Sequence, residues 1–150
     1  MHRFSTVEIS CAPFSIIKKI CGVYIDVVNT ANDVLGAFCG VVIAGAACGA
    51  GIAYLEGGKF REIAHTLVNA LAMISGVVCD GAKSSCAAKI ASSVEAGIFG
   101  YYMYKEGNEF IGGDGIVKKG VENTIRAVGE LARVGMCETD KEIINIMIER

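Results

Sequence analysis

Three cysteines carry the strongest chemistry in this sequence. Two lie in Cys79-Asp80-Gly81-Ala82-Lys83-Ser84-Ser85-Cys86, and the third lies upstream in Ala37-Phe38-Cys39-Gly40. Their surroundings are apolar or made of small residues. Thiolates serve as nucleophiles, redox groups and metal ligands. In a continuous helix, which rises about 1.5 Å per residue, Cys79 and Cys86 would stand roughly 10 Å apart along one axis. That spacing is awkward for two ligands of one small site. Gly81 can break the helix and fold the segment back, because glycine tolerates backbone angles closed to other residues. The segment is therefore expected to be a turn that carries Cys79 and delivers Cys86 at the start of the next helix.

The rest of the composition bounds what those thiols can be doing. At 150 residues the chain is one domain by length and long enough for a real core. The formal charge of −2 points to neither nucleic acid nor an acidic membrane surface. Seven cysteines is a high and odd number. Met1-His2-Arg3 is followed by polar residues and Glu8 rather than a clean apolar run, so no secretory signal is read. The thiols are then expected to be reduced, cytoplasmic and available for metal or redox chemistry, not a disulfide framework.

The elements that must position them read as helices, and the expected fold class is all-α: a compact helical domain with a glycine- and alanine-rich buried helix. Val34 to Leu55 has no charged residue and is long enough to span a bilayer. Its glycines suit tight packing in a membrane or in a soluble core. The absence of an aromatic belt, a basic flank and a second span favours the buried helix. Phe60, Ile63, Ala64, Leu67, Val68 and Leu71 form an apolar stripe at helical spacing, with Gly57-Gly58 before it and Gly76 near its end. Cys86 to Lys105 reads as another helix, stopped at Glu106-Gly107. Gly112-Gly113-Asp114-Gly115 is a loop. Val121, Ile125, Val128 and Leu131 give the next stripe, ending near Gly135. Thr139-Asp140-Lys141-Glu142 fits a capping box, with Thr139 as N-cap of the last helix. Val23 to Val28 is a weak strand candidate.

Two segments are similar to each other. Cys39 opens a small-residue helix that ends at Glu56-Gly57, with Phe60 shortly after; Cys86 opens one that ends at Glu106-Gly107, followed by Phe110. Both cysteines would lie near helix N-termini, where the helix dipole favours thiolate and an anionic cluster.

From about Leu35 onward the chain resembles the iron-sulfur L-serine dehydratase alpha-domain superfamily, and within it most closely the L-cysteine desulfidase group. The resemblance rests on the two cysteine segments through Ala91, on Ala64-His65-Thr66, on Gly113-Asp114-Gly115-Ile116-Val117, and on Gly135-Met136 with Thr139 to Ile143. It divides the chain into a poorly matching segment, 1–33, and an alpha-domain portion, 34–150. It implies a four-iron four-sulfur (4Fe-4S) cluster held by Cys39, Cys79 and Cys86, with the fourth iron open. It implies β-elimination on L-cysteine or L-serine, giving pyruvate and ammonia without pyridoxal phosphate. Only the C-terminal portion of such proteins is matched. The upstream part, with its substrate loops and a further catalytic cysteine, is not recognised in residues 1–33. The chain is therefore expected either to work with a separate chain carrying that part or to be a non-catalytic remnant, and its open flank makes self-association an expectation.

No residue is identified as the α-proton base. His65 and Asn69 share a helix face away from the apolar stripe; they read as solvated residues, or as substrate contacts or supports behind the residues that touch substrate. Lys83 and Lys89 read as exposed lysines, or as groups that orient a carboxylate or neutralise the cluster. Asp80 is a turn residue or an acceptor behind a ligand, and Asp114 is read as a turn device. Cys48 is expected to be a small buried hydrophobe and Cys137 a structural or exposed residue. Cys11 and Cys21 are unassigned.

Overall fold

The computed structural model describes residues 39–149. They form α1 (Gly40–Leu55), α2 (Phe60–Ile74), α3 (Ser84–Lys105), α4 (Val121–Glu130) and α5 (Cys137–Ile148), with a π-helical turn, Leu131–Gly135, between the last two. No strand occurs among the described residues, so the all-α reading holds. The weak strand at Val23 to Val28, and Cys11 and Cys21, lie outside the described residues. No described helix is long and apolar enough to cross a membrane.

Small residues dictate the central packing. Gly45 of α1 lies against Ser93 of α3, and Gly49 against Gly97. A Cβ on Gly49 would stand 2.5 Å from the Gly97 Cα, and one on Gly97 would stand 2.6 Å from the Gly45 carbonyl oxygen. The backbones therefore touch, and only glycine fits. The contacts rise together in both sequences, so α1 and α3 run parallel. Gly100 packs on Thr66 and Asn69 of α2, and the Cys39 N–H at the start of α1 bonds to the Val77 carbonyl just past the end of α2, so α2 runs the opposite way. Val42, Ala46 and Ala50 of α1 meet Leu67, Ala70 and Leu71 of α2 in the core, which Val128 of α4 and Ala132 close.

Local chemistry sets the ends. Gly57 at φ +84° and Gly107 at φ +80° leave the helical region as glycine permits. Gly57 N–H donates to the Tyr54 carbonyl and Gly58 N–H to Ala53; Gly107 N–H donates to Tyr104 and Asn108 N–H to Met103. These are the two bonds of a Schellman cap, so α1 and α3 end alike; α3 opens at Ser84, two residues before the expected Cys86. At the start of α2, Glu62 accepts the Lys59 N–H at 2.8 Å. Bonds from its own N–H and that of Lys59 hold its carboxyl below the usual range.

Three expectations are corrected. Phe60 begins the α2 stripe in sequence but is 76% exposed, because it sits on the first turn outside the core. In the α4 stripe the inward place after Val128 falls to Ala132, 1% exposed, while Leu131 turns outward. Thr139 caps nothing: α5 already begins at Cys137, with Met136 as its N-cap and the Asp140 N–H bonded to the Met136 carbonyl.

Candidate metal centre

The parallel pair α1–α3 explains why the thiols meet. Cys39 is the N-cap of α1, and Cys86 is the third residue of α3. Cys39 lies six residues before Gly45, and Cys86 seven before Ser93, so the backbone contact puts both at the same end of the bundle. The connector from α2 supplies Cys79. Cys39 N–H donates to the Val77 carbonyl at 3.0 Å, which ties the start of α1 to this connector. Gly81, at φ +89°, then turns the chain, and Cys86 Sγ donates to the Gly81 carbonyl at 3.5 Å. The expected turn is thus present, and both Cys39 and Cys86 sit at helix N-termini.

Cys39 is 3% exposed. Burial pushes its thiol up, the Val41 N–H acts the other way, and the facing Cys79 and Cys86 sulfurs push it further up. A second layer is charged. Lys89 Nζ donates to the Val78 carbonyl at 2.9 Å and to Asp80 Oδ1, and Lys83 Nζ lies 3.1 Å from Asp80 Oδ2. The hydrogen bonds from Lys89 and Lys83 hold the Asp80 carboxyl down at about 2. Asp80 is consequently a weak base. Two ammoniums against one carboxylate leave a positive charge beside the thiols.

Among the described residues no three His, Cys, Asp or Glu side chains form a group that could hold a single metal ion, as a zinc site with bonds of about 2.0–2.3 Å requires. Cys39 and Cys86 at helix starts and Cys79 in the connector lie within electrostatic reach of one another, with Lys83 and Lys89 around Asp80 beside them. Iron-sulfur clusters are held by cysteine thiolates, and the chemistry of Cys39, Cys79 and Cys86 suits one.

The other candidates divide. Asp80 and Lys83 stand with the thiols. His65 and Asn69 do not: His65 precedes the end of α2 by nine residues, about 14 Å along the axis. Asn69 is fully buried rather than solvated. Its Nδ2 donates to the Gly100 carbonyl and its Oδ1 accepts the Phe110 N–H, both at 3.0 Å. His65 stacks on Tyr104 with ring centroids 4.7 Å apart, and its Nδ1 lies 2.8 Å from Glu109 Oε2, out of line for a hydrogen bond. It lines a cavity of about 390 Å³ with Arg61, Phe110, Val117 and Lys118. Asp114 is a turn device as expected: its Oδ2 accepts the Ile111 N–H at 2.7 Å. Cys48 is exposed, contrary to expectation, because α1 turns Gly45 and Gly49 toward α3 and Cys48 away from it. Cys137 is exposed.

Sequence reasoning did not foresee the bond from Lys89 to Val78, nor Met147 of α5 reaching over Gly81, where a Cβ would meet its Cε at 3.3 Å. The spacing of Lys89 three residues after Cys86, one helical turn on the same face, was the available signal for the first.

The class of domain is given by the family match: a serine dehydratase-like alpha domain. The chain belongs to the serine dehydratase alpha chain family, whose model matches residues 19–145. It is similar to a UPF0597 protein of Desulfitobacterium hafniense, 68% identical over 116 residues, 77% of this chain and 27% of that protein. A UPF0597 protein of Finegoldia magna is 53% identical over 116 residues, 77% of this chain and 28% of the relative. One of Aeromonas hydrophila is 39% identical over 146 residues, 97% of this chain and 33% of the relative. The chain thus spans about a quarter to a third of the length of these relatives. No solved structure matches it.

Proposed function

We propose that this chain is the cluster-binding C-terminal part of an iron-sulfur amino-acid lyase that eliminates the β-substituent of L-cysteine or L-serine, giving pyruvate and ammonia. The observation that carries the reading is the meeting of Cys39, Cys79 and Cys86 at one end of the bundle. These three residues would hold a four-iron four-sulfur cluster. When bound, such a group supplies a Lewis acid for the departing thiol or hydroxyl.

The chain's own residues bind and position. Cys39 and Cys86 stand at the N-terminal ends of α1 and α3, and the Val41 N–H of α1 is directed at the Cys39 sulfur. Lys83 and Lys89 add positive charge on the open side of Asp80. His65 stands too far along α2 to take a proton from a substrate at the thiols.

The fraction of those relatives that this chain spans supports a second reading, a non-catalytic subunit or remnant that packs against a partner chain. Pyruvate release from L-cysteine and L-serine separates the two. The reconstituted chain alone is expected to release little or none, because a partly built site loses most of its rate. A separate chain carrying the upstream part should restore it. Robust turnover by these 150 residues alone contradicts the proposal of a part, and failure with every complementing chain favours the non-catalytic reading.

A further inference from the structure

We infer that Lys89 is the positioning residue of the thiol site: its ammonium clamps the two residues that flank Cys79 onto the helix that carries Cys86. The inference deepens the proposed function, since it concerns the same thiols, but the clamp itself stands on the metal-free geometry. Lys89 lies one turn after Cys86 on α3. Its Nζ donates to the carbonyl of Val78, immediately before Cys79, and to the carboxylate of Asp80, immediately after it. Lys83, the N-cap of α3, holds the other oxygen of that carboxylate. The connector is therefore tied to α3 on both sides of Cys79 by charge-assisted bonds, which are shorter and stronger than neutral ones.

An ordinary surface ion pair has little effect on a fold. Three features separate Lys89 from that case. Its side chain is only 21% exposed, so water screens it less than a free surface lysine. It makes one of its bonds to a backbone carbonyl, which fixes main chain rather than another mobile side chain. It also stands one helical turn after Cys86 on the same face of α3, so the residue that fixes Cys79 is carried by the helix of a second thiol. Gly81, with φ at +89°, turns the segment outside any helix, so Lys89 adds a tie where no helical ladder runs.

The test uses the full chain in two forms. In the metal-free protein, hydrogen exchange of residues 77–83 is compared between wild type, Lys89→Met, Lys89→Arg and Asp80→Asn. Lys89→Met is expected to speed exchange in this segment about tenfold, the scale of a charge-assisted hydrogen bond, while α2 and the rest of α3 stay protected. Lys89→Arg should recover part of the protection. Asp80→Asn, which removes a partly exposed carboxylate, should loosen the same segment and serves if Lys89→Met fails to fold. Unchanged exchange in the variants overturns the clamp. In the iron-reconstituted protein, loss of visible absorbance to an iron chelator should be about tenfold faster for Lys89→Met than for wild type. Equal retention despite a loosened segment overturns the positioning role. A loosened segment in a chain that takes up no iron at all upholds the clamp and instead refutes the proposed ligand set.

Discussion

The two ends of the α1–α2–α3 layer use their polar groups in opposite ways. At the end that carries His65, polar side chains bond to the fold's own backbone. Asn69 bridges α3 and the chain after it, Asp114 closes its own turn, and the Thr124 hydroxyl bonds to the Lys118 and Gly120 carbonyls. At the other end, thiols face one another and the charged groups are arranged around them. Neutral, buried, doubly bonded polar groups make a fold unique. Facing thiols with a surplus of positive charge add little to a fold and suit a bound anionic group. The lesson is that a polar residue on a helix is judged by where its bonds go: those of Asn69 tie α3 and the chain after it, those of Lys89 the segment around Cys79.

Both ends depend on the same backbone contact, so the largest effect comes from breaking it. Gly97→Val places a branched side chain against Gly45 and Gly49 and should destabilise the chain by about 3 kcal/mol or more in denaturant unfolding. It should also separate Cys39 from Cys86 and abolish iron uptake. Asn69→Ala strikes only the far end. It leaves the Gly100 carbonyl and the Phe110 N–H unpaired and should lower unfolding stability by about 2–3 kcal/mol. Iron bound per folded molecule should not change. A loss of iron without a loss of stability would mean that the two ends are not separate.

Smaller effects sharpen the comparison further. His65→Ala removes a stacked ring and should reduce stability by about 1 kcal/mol, read as a shift in the thermal midpoint, with iron uptake intact. Reduced iron uptake in this variant would bring His65 back to the thiol site. Ser93→Ala should change stability by no more than about 0.5 kcal/mol, because the buried Ser93 hydroxyl has no hydrogen-bond partner among the described residues. A fall of several times that size would reveal a partner for the hydroxyl.

How far the sequence could be read follows from the range of the interactions. The turn at Gly81, the helix stops at Gly57 and Gly107 and the placement of Cys39 and Cys86 at helix starts depend on neighbours a few residues apart, and they were legible. Asn69 was not, because its partners lie 31 and 41 residues away in sequence. Cys48 was misread because apolar neighbours say nothing of direction; the contact of Gly45 and Gly49 with α3 decides which side of α1 is buried. The start of α5 was misplaced because the π turn at Leu131–Gly135 passes directly into the helix, leaving Thr139 inside it. The meeting of the three thiols needed both levels: local turns to place each cysteine, and the parallel glycine contact to bring their elements together.

The central claim is that Cys39, Cys79 and Cys86 together hold an iron-sulfur cluster, and anaerobic reconstitution with iron and sulfide tests it most directly. The wild-type chain should develop the broad visible absorption of an iron-sulfur chromophore. Cys39→Ser, Cys79→Ser and Cys86→Ser should each weaken or abolish it, while Cys48→Ser and Cys137→Ser leave it unchanged. A wild-type chain that takes up no iron, or one that binds zinc at full occupancy instead, would contradict the account.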